Sequence, residues 1–360
     1  MNFKQKTLSY ALCLIILVLN ESSVVLSESN SCKNCKTIIG LIDGILKTTI
    51  SPQCAKVLSA YACDVLHIQD NHVCTGMSSE FGDEFVYIIG QLISKPSDIC
   101  PFLVSDCGAI PSTAWSISLP DGKPPIAEIP PPNSQPRPLR VLHISDMHWD
   151  KRYQEGAEAD CDEPLCCRSR NGPAKKRSAG KWGTISKCDL PERTVKAILK
   201  HISTLEWDYL LWTGDLPPHN VWNQSRSDQI VILSQLTRWM QKYFPDRLIF
   251  PAVGNHESAP VDSFPPNYAP SKYNISWGAS YVVKPFPGFR IISLNTQYGD
   301  RFNFWLYLNQ TDPNGMLTWL VAQLLDAEKA GDKVHIIGHM PPGIDDILTS
   351  YSANYYRIVN

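Results

Sequence analysis

The sequence has almost no excess charge of either sign and no apolar run long enough to cross a bilayer. Its 33 Lys and Arg residues nearly balance its 35 Asp and Glu residues, which gives a formal net charge of −2 at pH 7. Without a basic excess, the chain as a whole lacks the electrostatic field that favours nucleic acid. No stretch reaches the roughly 18 consecutive apolar residues that a transmembrane helix needs. We therefore predict a chain with no transmembrane span and no nucleic-acid partner.

Hydrophobic residues and cysteines, by contrast, are plentiful. Hydrophobic residues make up 43% of the 360 residues and charged residues 19%, a composition typical of folded rather than disordered chains. Twelve cysteines are many for a protein kept in the reducing cytosol. At roughly 150 residues per domain, the length predicts about two or three domains. The composition thus favours a secreted, disulfide-bonded, multidomain protein.

The first 27 residues are typical of a secretory signal peptide. Lys4 and Lys6 precede an apolar run from Leu8 to Leu19, and small residues follow near Ser27. The run has about 12 residues, too few to span a hydrocarbon core of about 30 Å. An uncleaved signal anchor is the alternative. We expect a secreted and/or lysosomal protein. Three glycosylation acceptors support this route: Asn223, Asn274 and Asn309.

A proline-rich segment separates two groups of cysteines. Nine prolines lie between Pro111 and Pro138. Proline fixes φ and has no N–H to donate, so this segment favours an extended, semi-rigid spacer. A ligand for SH3-type domains is the other interpretation of such a segment. We predict a first domain at 28–110, a linker at 111–138 and a second domain at 139–360.

The first domain is predicted to be small, helical and disulfide-bonded. Apolar residues recur at helical spacing over residues 38–46, in a segment that begins at Pro52, and over residues 79–93. About 80 residues cannot build a large core, so disulfides are expected to stabilise the fold. Spacing alone does not give their connectivity. We interpret Cys54 as a buried small residue, with an intermolecular disulfide as the alternative.

In the second domain, four apolar, strand-like runs each end in polar residues. Because buried strands of one sheet can end at one edge, we expect these polar side chains to share a cleft. Helical patterns lie between the runs, around 191–204, 227–243 and 314–330, which predicts an α/β sandwich. The residues after the four runs are Asp146 and His148, Asp215, Asn255 and His256, and His339.

These residue types suit a centre of two metal ions. Carboxylates can bridge two cations, while imidazoles and an amide oxygen fill further positions. Two metals about 3.5–4 Å apart polarise a phosphoryl group and lower the pKa of a bound water. A nearby imidazole can protonate the leaving oxygen. Turn residues that bind no metal are the simpler alternative for each motif taken singly.

The order and spacing of the four motifs resemble the calcineurin-like metallophosphoesterase superfamily. More narrowly, the segments at 143–150, 213–220, 253–266 and 332–343 are similar to the acid sphingomyelinase family. The early cysteines resemble the saposin family's pattern of two early, two middle and two late. The resemblance implies an α/β metallophosphoesterase sandwich, with mixed sheets flanked by helices, after a small all-α saposin B-type domain.

That resemblance also implies an activity and its partners. The reaction would be hydrolysis of sphingomyelin to ceramide and phosphocholine by a phosphodiesterase with two Zn²⁺ ions. The saposin-like domain would engage a sphingomyelin-containing membrane surface. The implied disulfide pairs are Cys32–Cys107, Cys35–Cys100, Cys63–Cys74, Cys161–Cys166 and Cys167–Cys188.

Individual site residues follow from the same resemblance. Asp146 and His148 would bind one metal, Asn255 and His339 would help to bind the other, and Asp215 would bridge the two. Two further histidines would contact the phosphate and are candidate acids for the leaving alkoxide: His256 and His219. Three histidines match no ligand position and are interpreted as structural: His143, His201 and His335.

The family pattern also includes a later Gly-His-x-His element, and these 360 residues do not contain one. We therefore expect a catalytic domain that is incomplete at its C-terminus, so the activity of the 360-residue form stays open. Two alternatives follow: an inactive, truncated secreted protein that binds lipid, and a metallophosphoesterase that acts on soluble phosphoesters. The basic run from Arg168 to Lys181 is interpreted as a solvated loop.

Overall fold

The computed structural model describes residues 30–47, 52–91, 96–104, 106–108, 114–125, 138–267, 269 and 278–360. The predicted signal peptide and the acceptor Asn274 lie outside these residues. The chain divides into two compact units. One comprises the residues up to Ser112 together with Asn220–Ser225, and the other comprises Thr113–His219 with Arg226–Asn360.

The first unit contains four helices in its described part: α1 (Asn30–Lys47), α2 (Pro52–Val65), α3 (Asn71–Gln91) and α4 (Pro96–Leu103). Helix α2 begins at Pro52 as predicted, because proline is tolerated in a first helical turn. The predicted start of the third helix, near residue 79, is wrong. The carboxylate of Asp70 accepts the N–H of Val73 at 2.8 Å and caps the helix earlier in the chain.

Among the described residues of the first unit, three disulfides connect the helices: Cys32–Cys107, Cys35–Cys100 and Cys63–Cys74. These are the pairs that the saposin pattern implied. Cys54 is buried on α2, with 5% of its surface exposed, but it is also disulfide-bonded, so its interpretation as only a small buried residue is wrong. In the described part of this unit, few large side chains besides Ile39 and Ile88 are almost wholly buried. Disulfides therefore supply the stability that a core of this size does not.

The described part of the second unit contains two three-stranded sheets. The first is parallel, in the order β1 (Val141–Ile144), β2 (Tyr209–Trp212), β3 (Leu248–Pro251). In the second, β4 (Tyr281–Phe286) pairs antiparallel with β5 (Phe289–Ser293), which pairs parallel with β6 (Lys333–Ile337). The mixed sheets confirm the predicted fold class.

The β4–β5 hairpin was not among the predicted strands. Proline cannot donate a ladder hydrogen bond, so Pro285 inside β4 weakens the strand pattern. The other predicted strands agree with the structure to within about two residues at each end, which is the usual uncertainty of element boundaries.

Strand β2 is buried on both faces, as its unbroken apolar sequence suggests. On one face, Leu210 and Trp212 pack in a core that includes residues of α5 (Glu192–Ile202) and α6 (Arg226–Tyr243). On the other face, Tyr209 and Leu211 pack with Ile291 and Ile337 of the second sheet. The two sheets thus face each other, and α5 and α6 cover the outer side of the first.

Two more helices follow, α7 (Met316–Ala330) and α8 (Thr349–Val359). Residues 114–125 of the proline-rich segment belong to this unit and are bound to α8. The side-chain oxygen of Asn354 accepts the N–H of Ile117 at 2.7 Å, and its amide donates to the carbonyl of Trp115 at 2.9 Å. Among the described residues, no helix is long and apolar enough to cross a membrane.

Candidate metal centre

Parallel strands bring three of the predicted site residues to one edge of the first sheet. Asp146, Asp215 and Asn255 lie shortly after β1, β2 and β3, and the ends of those strands are in register. His339 follows β6 in the second sheet. The fold therefore gathers side chains that are as many as 193 positions apart in sequence, from 146 to 339.

The loops after β1 and β2 hold strained backbone conformations. Asp146, His148 and Asp215 have φ angles of 56°, 35° and 57°, in the left-handed region that residues with side chains seldom adopt. The two loops support each other. The N–H of Asp146 donates to the carbonyl of Gly214 at 3.0 Å, and the N–H of His148 donates to that of Asp215 at 3.0 Å.

Asp215 occupies the centre of the cluster. One carboxylate oxygen lies 3.5 Å from Nε2 of His148 and 3.3 Å from Nε2 of His339. The other oxygen accepts the backbone N–H of His256 at 3.0 Å. The side chain of Asp215 is buried. A carboxylate between two imidazoles is arranged as a bridging ligand would be.

The Nδ1 atoms of His148 and His339 are hydrogen-bonded to backbone carbonyls. Nδ1 of His148 lies 2.8 Å from the carbonyl of Pro217, and Nδ1 of His339 lies 2.7 Å from that of Thr213. A carbonyl oxygen can only accept, so each Nδ1 donates its N–H, and Nε2 is the ring nitrogen that a metal ion would bind in place of a proton. Histidines that ligate metals typically donate their other N–H in this way.

Asn255 and Asp146 complete the predicted ligand set. Oδ1 of Asn255 lies 3.1 Å from Nε2 of His339. Oδ1 of Asp146 lies 4.0 Å from Nε2 of His148, and its side chain is half exposed. One ligand atom each of Asp146, Asp215 and His339 fall within 4.8 Å of one another. The structure brings all five predicted ligands together, and their oxygen and nitrogen donors fit divalent metal ions.

A second cluster consists of His148, His219 and His256, whose ring nitrogens also lie within 4.8 Å of one another. The ring centroids of His148 and His219 are 3.8 Å apart, and those of His219 and His256 are 4.6 Å apart. Both histidines that were predicted to contact the phosphate therefore lie beside a predicted metal ligand.

Asp189 positions His219, and sequence reasoning missed it. Its Oδ1 lies 2.7 Å from Nδ1 of His219, and its Oδ2 accepts the backbone N–H of His219 at 2.7 Å. The residue directly follows Cys188, whose disulfide with Cys167 fixes this stretch of chain. No motif identifies Asp189, because its partner lies 30 positions away.

Burial and nearby charges change the pKa values of His219 and His256 in opposite directions. Burial is the largest influence on His219 and would lower its pKa, but the hydrogen bond and charge of Asp189, with other carboxylates, raise that pKa overall. Burial lowers the pKa of His256 to about 3, despite the opposing charge of Asp215. Neighbouring groups with diverging pKa values are a feature of acid–base sites.

Glu257 was also missed, although it connects two of the site loops. Its buried carboxylate accepts the backbone N–H groups of Asp215 at 2.9 Å, Leu216 at 2.8 Å and Gly254 at 2.5 Å. Burial, followed by the charge of Asp215, raises the pKa of Glu257 to about 7. Gly254 has no room for a side chain, because an added Cβ would collide with Asp215.

A cleft of about 560 Å³ opens beside Asp146, Asn255 and His339. Two further carboxylates that sequence reasoning missed, Asp262 and Asp300, also line it. Burial raises the pKa of Asp262 to about 7 and that of Asp300 well above its usual range. The opening gives a substrate access to the predicted ligands.

The histidines interpreted as structural lie outside both clusters. Nε2 of His143 lies 2.8 Å from Oγ1 of Thr213, and Nδ1 of His335 lies 2.8 Å from the hydroxyl of Tyr209. His201 is exposed on α5.

Comparison with known proteins agrees with this geometry. The model of the family described as calcineurin-like phosphoesterase matches residues 139–358. The chain is 40% identical to the human sphingomyelin phosphodiesterase, over 91% of this chain and 56% of that protein. It is 34% identical to sphingomyelin phosphodiesterase 1 of Caenorhabditis elegans, over 91% and 64% respectively.

A Dictyostelium discoideum relative, sphingomyelin phosphodiesterase B, is 35% identical over 93% of this chain and 56% of its own length. The chain therefore spans between 56% and 64% of the length of these relatives. They confirm the predicted resemblance. The family match covers most of the second unit, including every predicted metal ligand, and the chain belongs to the calcineurin-like phosphoesterase family.

Proposed function

We propose that this chain hydrolyses sphingomyelin to ceramide and phosphocholine with the help of two zinc ions. The observation that carries the proposal is the position of the Asp215 carboxylate, between Nε2 of His148 and Nε2 of His339. The names of the similar proteins support the choice of substrate.

The donor set supports zinc. Asp146, His148, Asp215, Asn255 and His339 offer imidazole, carboxylate and amide donors, and zinc binds both nitrogen and oxygen ligands. Two such ions polarise a phosphoryl group and lower the pKa of a bound water. The hydrogen bonds from Nδ1 of His148 and of His339 to backbone carbonyls fix both rings, so that Nε2 of each would be the nitrogen that holds an ion.

The neighbouring histidines have different tasks in this proposal. His219, with its pKa raised by Asp189, is protonated at mildly acidic pH and donates a proton to the ceramide oxygen as the P–O bond breaks. His256 is neutral, because burial lowers its pKa, and its ring N–H binds an oxygen of the phosphate. Asp189 acts through His219 as a positioning residue.

The first unit would engage the sphingomyelin-containing membrane surface. Four apolar side chains at the end of α2 and just after it are exposed, although apolar residues are usually buried. Their exposed fractions are 46% for Tyr61, 52% for Val65, 37% for Leu66 and 45% for Ile68. Together with the disulfides, this surface supports a secreted or lysosomal protein that works on lipid.

The test is to measure bound zinc and substrate hydrolysis in the full 360-residue chain. We expect cleavage of sphingomyelin in liposomes and little cleavage of ATP. Asp215→Asn should lose cleavage and bound zinc, whereas the exposed Asp121→Asn should retain both. Cleavage of ATP without sphingomyelin would identify an enzyme for soluble phosphoesters. Vesicle binding without zinc or any cleavage would identify an inactive lipid-binding protein.

A further inference from the structure

The basic run in the second unit was first interpreted as a solvated loop. Its composition is more one-sided than that interpretation would lead one to expect. Between Glu163 and Asp189 the sequence contains no acidic residue, although the whole chain is slightly negative. The same stretch contains seven basic residues: Arg168, Arg170, Lys175, Lys176, Arg177, Lys181 and Lys187. Its positive charge is therefore concentrated rather than balanced locally.

Two of these cations are used within the fold. Arg168 is buried and donates to Asp150 at 2.7 Å, and Arg170 donates to Glu163 at 2.9 Å. Four others are exposed and have no carboxylate within ion-pair distance in the described part of the chain. These four are Lys175, Lys176, Arg177 and Lys181.

Two large apolar side chains lie among the free cations. Trp182 is 59% exposed and Ile185 is 95% exposed, the highest value for a large apolar side chain in the described residues. Single exposed apolar residues are ordinary, but here a tryptophan and an isoleucine are three positions apart and are flanked by Lys181 and Lys187. Tryptophan is enriched where protein meets the interfacial layer of a bilayer.

The backbone beneath the cations is fixed by one buried carboxylate. Glu158 accepts the N–H groups of Lys175 at 2.6 Å, Lys176 at 2.7 Å, Arg177 at 2.9 Å and Asp160 at 3.0 Å. While the backbone N–H groups bind Glu158, the three basic side chains are exposed to solvent. The charges are thus presented by a preformed turn, so little order has to be gained on binding.

Hydrogen bonds to Ala159 bring together the two ends of the next segment, residues 177–186. The N–H of Ala159 donates to the carbonyl of Arg177 at 2.8 Å, and the carbonyl of Ala159 accepts the hydroxyl of Ser186 at 2.5 Å. Residues 177–186 therefore leave and return at one point, as in a compact Ω-loop. Trp182 lies within this loop, and its carbonyl accepts the hydroxyl of Thr194 at 2.6 Å.

We propose that residues 175–187, the cationic loop, dock the second unit on the surface of an anionic phospholipid bilayer. The free cations would contact headgroup phosphates, while Trp182 and Ile185 would enter the interfacial layer. Nucleic acid accounts for the charge but gives no reason for an isoleucine that is 95% exposed. The proposal goes beyond sphingomyelin hydrolysis and does not require it.

Docking at this loop would also place the bilayer relative to the candidate site. Cys188 ends the stretch and is cross-linked to Cys167, and the next residue, Asp189, binds His219. The chain therefore leads directly from the cationic loop to the residue that positions the candidate acid. A bilayer bound at the loop would be held at a fixed distance from His219.

The test is co-sedimentation of the full chain with vesicles that contain no sphingomyelin. One set is pure phosphatidylcholine and the other also contains phosphatidylserine. Combined neutralisation by Lys175→Gln, Lys176→Gln and Arg177→Gln should lower the partition coefficient on the anionic vesicles about 100-fold. Trp182→Ser with Ile185→Ser should weaken binding at every salt concentration, whereas binding of the unmodified chain should fall as salt rises.

Two control variants make the result specific. Lys200→Gln, Lys329→Gln and Lys333→Gln remove the same charge from other exposed positions and should leave most of the binding intact. Replacing Lys175 and Lys176 by arginine keeps the charge and should bind like the unmodified chain. Equal losses in both neutralised sets would overturn the proposal, as would unchanged binding in the loop variants. Tight binding to single-stranded RNA that does not depend on Trp182 or Ile185 would also overturn it.

Discussion

Asp189 binds both the ring and the backbone of His219, with Oδ1 2.7 Å from Nδ1 and Oδ2 2.7 Å from the backbone nitrogen. One carboxylate thereby fixes the position, the orientation and the protonation of this imidazole. Because Nδ1 is held by Asp189, the other ring nitrogen is the one available to a substrate. Burial lowers the pKa of His219, but this contact and the charges of Asp189, Asp215 and Asp146 together raise it overall.

Replacing Asp189 by asparagine should therefore change the pH profile. In the unmodified chain, protonated His219 is available below its raised pKa and is lost as pH rises through that value. Asp189→Asn removes the charge, so the loss should occur at lower pH, and kcat at the optimum should fall about 10- to 100-fold. The measurement is kcat for sphingomyelin against pH, with the exposed Asp121→Asn as the control. An unchanged alkaline limb would show that His219 is not the acid.

His339→Ala should remove metal. The ring of His339 is held by the carbonyl of Thr213, and its Nε2 faces Asp215 and Asn255. We expect zinc affinity to fall by more than the roughly 10- to 100-fold that loss of an outer ligand contact causes. Bound zinc per chain is measured after dialysis against graded zinc buffers. His201→Ala, on the exposed side of α5, should retain the metal of the unmodified chain.

Glu257→Gln should destabilise the second unit. The carboxylate accepts three backbone N–H groups, and a side-chain amide offers only one acceptor oxygen, which leaves at least one buried N–H unsatisfied. Such a loss lowers the free energy of unfolding by about 1–3 kcal/mol. Denaturant unfolding of Glu257→Gln is compared with Glu155→Gln, whose exposed ion pair with Arg193 should matter by less than about 1 kcal/mol. Equal stability of the two variants would contradict a stabilising role for the hydrogen bonds of Glu257.

Glu158 should make the second unit sensitive to acid. Backbone hydrogen bonds, with that from Lys176 the strongest, lower the pKa of Glu158 from its ordinary value of 4.5 to about 2. A carboxyl whose pKa is lower in the folded state stabilises the protein above its unfolded pKa and loses this effect as pH falls through the folded pKa. Tm of the unmodified chain should therefore drop over this window, between about pH 4.5 and pH 2.

The Glu158→Gln variant isolates that contribution. Its Tm should be lower near neutral pH, and the difference from the unmodified chain should shrink on acidification. Glu192→Gln, at an exposed position on α5, serves as the control because it removes a carboxyl that binds no backbone N–H in the described structure. Parallel Tm curves for Glu158→Gln and the unmodified chain would contradict the role assigned to Glu158.

The sequence alone determined the order of strands and helices that carries the site. Apolar runs that end in polar residues identified β1, β2, β3 and β6, although of these four strands β2 alone is buried along its whole length. The hairpin β4–β5 was not predicted because Pro285 interrupts the strand pattern of β4. Helix α3 starts earlier than predicted because its cap, Asp70, lies outside the apolar periodicity.

The residues proposed as metal ligands could be selected from the sequence because each belongs to a short motif next to a strand. Asp189 belongs to none, and Glu257, which lies in the segment at 253–266, was given no role. Their partners lie 30 and 42 positions away, and the contacts exist only in the folded chain. The shifts in their own and their partners' pKa values depend on burial, which neighbours distant in sequence create.

In the cationic loop, too, some features follow from the sequence and others only from the tertiary structure. Sequence by itself determined that residues 164–188 hold basic residues and no acidic one. Only the tertiary structure decided that Glu158 binds the backbone beneath the charges and that Ile185 is exposed while Leu165 is buried. Both are apolar residues within one stretch of chain, and exposure is set by what packs against a side chain rather than by its type.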